Sequence, residues 1–467
     1  MTETLLGAGE RRAEALSQFN RSRLARWMIW ALASAAMMVL LLAPAIWNGF
    51  PLIFPDTGGY FTAPMVRALA NGRSAFYGFF LDLGIPLAFW PSVIAQSALM
   101  IWLFVVTLRV NGLGARPWFA LGVVTMLTVT TSLPWFAGQL MPDILFPAAA
   151  LALYLLAYAH DRLLPGERWA LAGVIAFAIA SHMAAAAMCV AVIAALFVVS
   201  RIASLASYLA LPPLRLKFCA GAIAAGIVLC PVSNLVLVGS FAFTPGGTTF
   251  LFGRLVHDGI IARYLDDVCP DATIRLCAEK NRLPKTAEGF LWDDSLIYEL
   301  GGWKAHEPEQ KRIIKDTLLR YPLVHIETAV KATLSQFVTF ATEVEVNKNA
   351  PTFNSIGEHL PWLLPRLFAA RQQSERFDVA PLNALHVPVA FLALAGMILA
   401  LALRRRLNIA PQAAALCFVV LLALGANAMI CGIFSHPVDR YQSRLVLLAP
   451  FVAAILVAQS RRSPVKA

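Results

Sequence analysis

Residues 412–433 read QAAALCFVVLLALGANAMICGI, twenty-two positions without a charged side chain. At ~1.5 Å per residue, such a helix rises about 33 Å, enough to cross a hydrocarbon core of about 30 Å. In lipid the backbone must satisfy its own hydrogen bonds, and a helix does this within one segment. Nine further runs have the same character: 27–47, 86–108, 117–137, 144–159, 169–181, 183–199, 218–240, 385–403 and 445–459. The stretch 169–199 would measure about 46 Å as one straight helix, more than a bilayer spans, so it divides at Ser181–His182. The expectation is an all-α polytopic membrane protein with about ten transmembrane helices.

Composition agrees. The chain has 467 residues, of which 59% are hydrophobic and 14% charged, and its mean hydropathy is +0.68. A soluble domain carries about a quarter charged residues. The formal net charge of +11 reflects topology. Arg11, Arg12, Arg21, Arg23 and Arg26 precede the first run. Arg109 and Arg116, then Arg162 and Arg168, then Arg201, Arg215 and Lys217, then Arg404–Arg406 occupy alternate connections, and Arg461, Arg462 and Lys466 end the chain. Basic loops face the cytoplasm, so both termini are expected there, in the cytoplasmic membrane, and the charge calls for no nucleic-acid partner. The N-terminal stretch lacks a small-residue cleavage site, so no cleaved signal peptide is read.

The resulting organisation has a cytoplasmic N-terminal segment (1–26) and a transmembrane module of about seven helices (27–240). An extracytoplasmic segment (241–384), a C-terminal group of helices (385–459) and a cytoplasmic tail (460–467) follow. The stretch 318–340, LLRYPLVHIETAVKATLSQFVTF, is amphipathic and is expected to lie on the membrane surface. Cys269 and Cys277, eight apart in the outer segment, predict a disulfide in an oxidising compartment. The other five cysteines lie in or beside apolar runs, and no CxxC or zinc-ligand spacing occurs.

The unusual polar residues fall on the outer side. FPDTGGYFT (54–62) places Asp56 just after the first span, with Tyr60 four residues on. Read locally, this is a turn whose Asp caps the next helix; read chemically, it is a carboxylate at the interface that can take a proton from a hydroxyl. LPWFAGQLMPDILFP (133–147) puts Asp143 before the fourth span, again as a cap or as the second member of a carboxylate pair with a base, orienting or metal-binding role. His182 stands alone in an apolar stretch, either a satisfied interior group or a functional one. GRLVHDGIIARYLDD (253–267) groups Arg254, His257 and Asp258 on one helical face, either as local ion pairs or as a phosphate-facing patch. FSHPVDRYQSRLVLLAP (434–450) carries His436, Arg440 and Arg444. Two outer arginines four apart run against the positive-inside trend, and guanidinium forks suit phosphate oxygens.

In their order and common side, these motifs resemble the GT-C superfamily of membrane glycosyltransferases, over roughly residues 27–459. PDTGGY is similar to that family's first-loop acidic motif and MPDILFP to its second. AIASHMAAAAMCVAVIAALF resembles its small-residue helix end followed by an apolar run, with His182 where a lysine is usual. The family's large C-terminal soluble domain has no counterpart, and the outer segment sits mid-chain. The resemblance implies an inverting transfer of a sugar from a polyprenyl-phosphate donor to a hydroxyl on a glycan, lipid or protein acceptor. Asp56 would be the base. Asp143, with His182, would orient the donor or, with Asp56, hold a divalent cation such as magnesium or manganese. Arg254, Arg440 and Arg444 would bind the lipid phosphate, with Tyr60, His257, Asp258 and His436 lining the substrate site. The alternative is a transporter or flippase for a lipid-linked saccharide. Transporters place ionisable groups at mid-bilayer on repeated halves, whereas here the charges sit at outer span ends and no repeat is visible.

Overall fold

The structure, a computed structural model, describes residues 2–114, 116–292, 296–342, 350–374 and 378–460; of residues 2–23 and 350 it describes the backbone alone. Among these residues every regular element is helical, and the one extended pairing is a parallel bridge between Leu52 and Gln139. The N-terminal half comprises α1 (Thr2–Asn48), α2 (Thr57–Val66), α3 (Ala75–Asp82), α4 (Trp90–Val110), α5 (Pro117–Thr130) and α6 (Leu133–Ala137). It continues with α7 (Leu145–Tyr158), α8 (Pro165–Ser181), α9 (Met183–Arg201), α10 (Ala203–Leu209) and α11 (Lys217–Val238). The outer segment holds α12 (Gly247–His257), α13 (Ile260–Val268), α14 (Ala287–Leu291), α15 (Leu296–Glu299), α16 (Gly302–Arg320), α17 (Pro322–Val338), α18 (Ala350–His359) and α19 (Leu364–Ala369). The chain closes with α20 (Asn383–Ala402), α21 (Pro411–Phe434), α22 (Asp439–Val446) and α23 (Leu448–Ser460).

Among the described residues seven stretches are long and apolar enough to cross a membrane: Leu24–Asn48, Trp90–Val110, Met183–Arg201, Lys217–Val238, Ala380–Ala402, Pro411–Phe434 and Asp439–Ser460. Ten were expected. Of the other three, 117–137 breaks after Thr130 into α5 and the short α6. The run at 144–159 becomes α7, whose every residue is buried within the protein. The run at 169–181 becomes α8, 17 residues opening on Glu167 and Arg168. A helix of 14 residues such as α5 or α7 rises about 21 Å, short of the hydrocarbon thickness. The division at Ser181–His182 does occur. His182 is extended, and its Nδ1 accepts a hydrogen bond from the Ala184 amide at 3.2 Å, capping α9.

Among the described residues two extensive hydrophobic cores form, beside two small clusters. The large one joins the membrane helices to α18 and α19 through Ile356, Leu363 and Leu367. The smaller one is confined to residues 252–321, around Phe252, Ile261, Phe290, Trp303 and Ile313. Cys269 and Cys277 are joined by a disulfide in this smaller body. The expected single outer segment therefore divides into a body with its own core and a return stretch that packs onto the membrane helices. Within that return, α17 lies along α21 and buries Ala332 and Gln336, leaving Leu323, Ile326, Val330, Leu334 and Val338 exposed. The basic tail beyond Ser460 lies outside the described residues.

Candidate functional site

The two loops carrying Asp56 and Asp143 are fastened to each other. Leu52 donates its amide to Gly138 O (2.9 Å) and accepts from the Leu140 amide (2.9 Å). The Thr57 hydroxyl donates to Leu140 O at 3.2 Å. The return stretch clamps the first loop from outside. The Gln372 side chain accepts from the Ile53 amide (3.0 Å) and donates to its carbonyl (2.6 Å). The Thr352 hydroxyl donates to Phe54 O (2.7 Å) and accepts from the Gly58 amide (3.1 Å). Buried backbone groups in an irregular loop need such partners, and these bonds determine where Asp56 stands.

Asp143 is fully buried. It does not cap a helix. Its Oδ1 accepts from Arg440 Nε at 3.2 Å and from Arg444 Nη1 at 3.0 Å, and its Oδ2 accepts from Arg440 Nη2 at 2.8 Å. Both arginines come from α22, four residues apart and hence on one face. Asn427 of α21 holds that helix in place: its amide donates to Tyr441 O (2.7 Å) and to Gln442 Oε1 (2.8 Å), and its oxygen accepts from Arg444 Nη2 (3.1 Å). The Arg440 guanidinium lies over the Phe54 ring at 3.9 Å and that of Arg444 over Phe146 at 3.4 Å, where the ring quadrupole adds attraction. Phe146 also packs edge-on against His182, with ring centroids 5.3 Å apart.

Asp56 occupies the cap position of α2 but makes no capping hydrogen bond. Its side chain is 31% exposed, is ion-paired with Arg73, and lies 3.8 Å from Arg440 Nη1. The glycines of PDTGGY explain the pairing. A Cβ on Gly59 would sit 2.7 Å from Arg73 Cδ, so a glycine there lets the arginine lie across α2 to reach Asp56; a Cβ on Gly58 would meet Ser355 Oγ at 2.6 Å and Thr352 Cα at 3.1 Å. Tyr60 is buried edge-on against Tyr77. Burial first, then the Asp56 carboxylate, push its phenol above the usual range, so it stays protonated.

The structure thus brings Asp56, Asp143, Arg440 and Arg444 together, with Tyr60 and His182 against the cluster. It groups Arg254, His257, Asp258 and His436 separately, and among the described residues no contact joins them to either aspartate. Arg254 is 2% exposed and fully engaged: Nε donates to Gly432 O (2.7 Å), Nη2 to Thr328 O (3.0 Å), and Nη1 pairs with Asp258. It ties α12 to α17 and α21, with each of its three nitrogens engaged within the protein. His436 pairs with Glu288 and lies beside His257, ring centroids 5.9 Å apart. Arg73, Phe54, Phe146 and Asn427 were not read from sequence as site residues. Arg73 had an available signal, since it is a basic residue in an outer loop, the same anomaly that singled out Arg440 and Arg444.

The donor set does not fit a divalent cation. Both oxygens of Asp143 already accept from guanidiniums, and among the described residues no three His, Cys, Asp or Glu side chains converge as a metal site. Three arginines (Arg73, Arg440, Arg444) against two carboxylates (Asp56, Asp143) leave one net positive charge among the described residues, which favours an anion. Comparison of the chain with family models, with curated proteins and with solved structures returns no match.

Proposed function

We propose that the cluster around Asp56 is the active site of a GT-C-like membrane glycosyltransferase, which moves a sugar from a polyprenyl-phosphate donor to a hydroxyl acceptor at the outer face of the cytoplasmic membrane. The topology that goes with it has ten crossings and both termini in the cytoplasm, the short helices α5, α7 and α8 completing the count. One observation carries the reading: Asp56 is a partly exposed carboxylate, free of any capping role, in the loop that follows the apolar helix Leu24–Asn48 and inside a cluster with a net positive charge among the described residues.

In the proposed step the acceptor oxygen attacks the anomeric carbon and its proton passes to the Asp56 carboxylate. The bond from that carbon to the phosphate oxygen breaks, and its electron pair stays on the phosphate. Arg440, and Arg73 beside it, stabilise the charge gathering there. Asp143 acts through Arg440, which it holds together with Arg444, as a buried counter-charge that sets its direction. The protonated Tyr60 phenol supports the wall behind Asp56.

The test is turnover of a polyprenyl-phosphate-linked sugar by purified protein. Asp56→Asn keeps the shape but cannot accept a proton, and losing a general base costs about 100- to 10,000-fold in rate. Near wild-type turnover by this variant, with matched thermal stability, would remove the catalytic assignment.

A further inference from the structure

Arg73 is the residue of the cluster that the reading above leaves underused. It leaves the turn after α2 at Gly72, which has φ +74° and donates its amide to Pro245 O at 2.8 Å. Its Nη1 donates to Asn71 O at 2.9 Å and its Nη2 is bonded to Asp56, while its Nε is buried without a partner among the described residues. The side chain is 15% exposed. Arg440, by contrast, is held firmly by Asp143 and only approaches Asp56, Nη1 lying 3.8 Å away. The carboxylate that is to act as the base is therefore bonded to one arginine, on a flexible stem, with an unsatisfied donor beside the bond. The Asp56 oxygen in that bond is occupied by a guanidinium N–H and is not open to an incoming hydroxyl.

We propose that Arg73 is a positioning residue that restrains Asp56 until an anionic group displaces it: a lipid phosphate entering between Arg73 and Arg440 takes over the Arg73 guanidinium and frees the Asp56 carboxylate. The inference rests on the reading of Asp56 as the base and adds a sequence of events to it. The donor's phosphodiester is a monoanion like the carboxylate, but its two non-bridging oxygens can engage Arg73 and Arg440 together, and the phosphate becomes a dianion only as the glycosyl bond breaks, which strengthens its hold on the guanidiniums. The exchange also gives Gly59 a role, because the arginine reaches Asp56 only across a position without a side chain.

The exchange can be read without turnover. Full-length protein in detergent is treated with a water-soluble carbodiimide and an amine, and labelling of Asp56 is quantified by mass spectrometry with and without undecaprenyl phosphate; lipid binding is checked by native mass spectrometry. In wild type, labelling should be slow and rise several-fold with the lipid phosphate. In Arg73→Ala, Asp56 should label rapidly from the start and the lipid should add nothing. Arg73→Lys should restore the restraint in part, and Gly59→Ala, which obstructs the arginine without removing it, should behave between wild type and Arg73→Ala. Bound lipid phosphate with unchanged labelling of Asp56 in wild type would overturn the inference alone. Failure of the lipid phosphate to bind at all would overturn the reading of the site, and the inference with it.

Discussion

Asp143→Asn tests the electrostatics on which the site is built. The carboxylate has no exposed surface and carries three hydrogen bonds at 2.8–3.2 Å from guanidiniums whose side chains are 9% and 1% exposed. Asparagine keeps one acceptor oxygen, turns an amide donor toward a guanidinium donor, and leaves two buried cations without their counter-charge. Removing one partner of a buried ion pair typically costs about 3–5 kcal/mol. Asp56 near Arg440, and the rings beneath both guanidiniums, offset part of this, which places the expected loss at the lower end, about 3 kcal/mol. Asp56→Asn gives the contrast, because its pair is partly exposed and such pairs contribute about 0–1 kcal/mol. The assay is thermal unfolding of the purified variants in one detergent. Asp143→Asn should unfold well below both wild type and Asp56→Asn, and adding Arg444→Met, which removes one stranded charge, should recover part of the loss as a positive coupling. A midpoint for Asp143→Asn equal to that of wild type would refute the claim that this carboxylate is the buried counter-ion of two charged arginines.

Two further outcomes are expected. His306, fully buried with neither ring nitrogen hydrogen-bonded among the described residues, and His436 are both held by burial below their ordinary value of 6.5. As pH falls through that value the unfolded chain takes up protons the folded one refuses, so the stability present above it declines; thermal midpoints should drop between pH 7.5 and 5.5, and His306→Leu should flatten the drop. Reporter fusions after Arg109, Arg162 and Arg404 should read as cytoplasmic and a fusion near Gly301 as external, as the alternation of loop charge requires; an external reading at Arg404 would overturn the arrangement of the last three crossings.

What could be read in advance follows from where the constraint lies. A lipid-facing helix must be apolar along its whole length, so Leu24–Asn48 and Met183–Arg201 declare themselves. Hydropathy does not distinguish lipid from protein surroundings, however, and α7 is apolar because every one of its residues is buried among neighbours; it was read as an ordinary crossing for that reason. The break at His182 was legible because an unbroken helix would be too long. Arg254 and Asp258 were correctly read as sharing a face, but spacing within one helix is silent about what lies beyond it, and the carbonyls of Thr328 and Gly432 each accept from the Arg254 guanidinium. Asp143 and Arg440 lie 297 positions apart, beyond any local pattern. They were still singled out by one anomaly of charge placement. Arginines are disfavoured in outer loops unless something there holds them, and each of the three that converge here is held by a carboxylate: Arg440 and Arg444 by Asp143, Arg73 by Asp56. The aspartates answer the same question from the other side, since neither caps the helix it precedes. An outer basic residue in a chain of this kind is therefore a pointer to a buried acidic partner, and the partner with solvent left to it, Asp56 rather than Asp143, is where chemistry is to be sought.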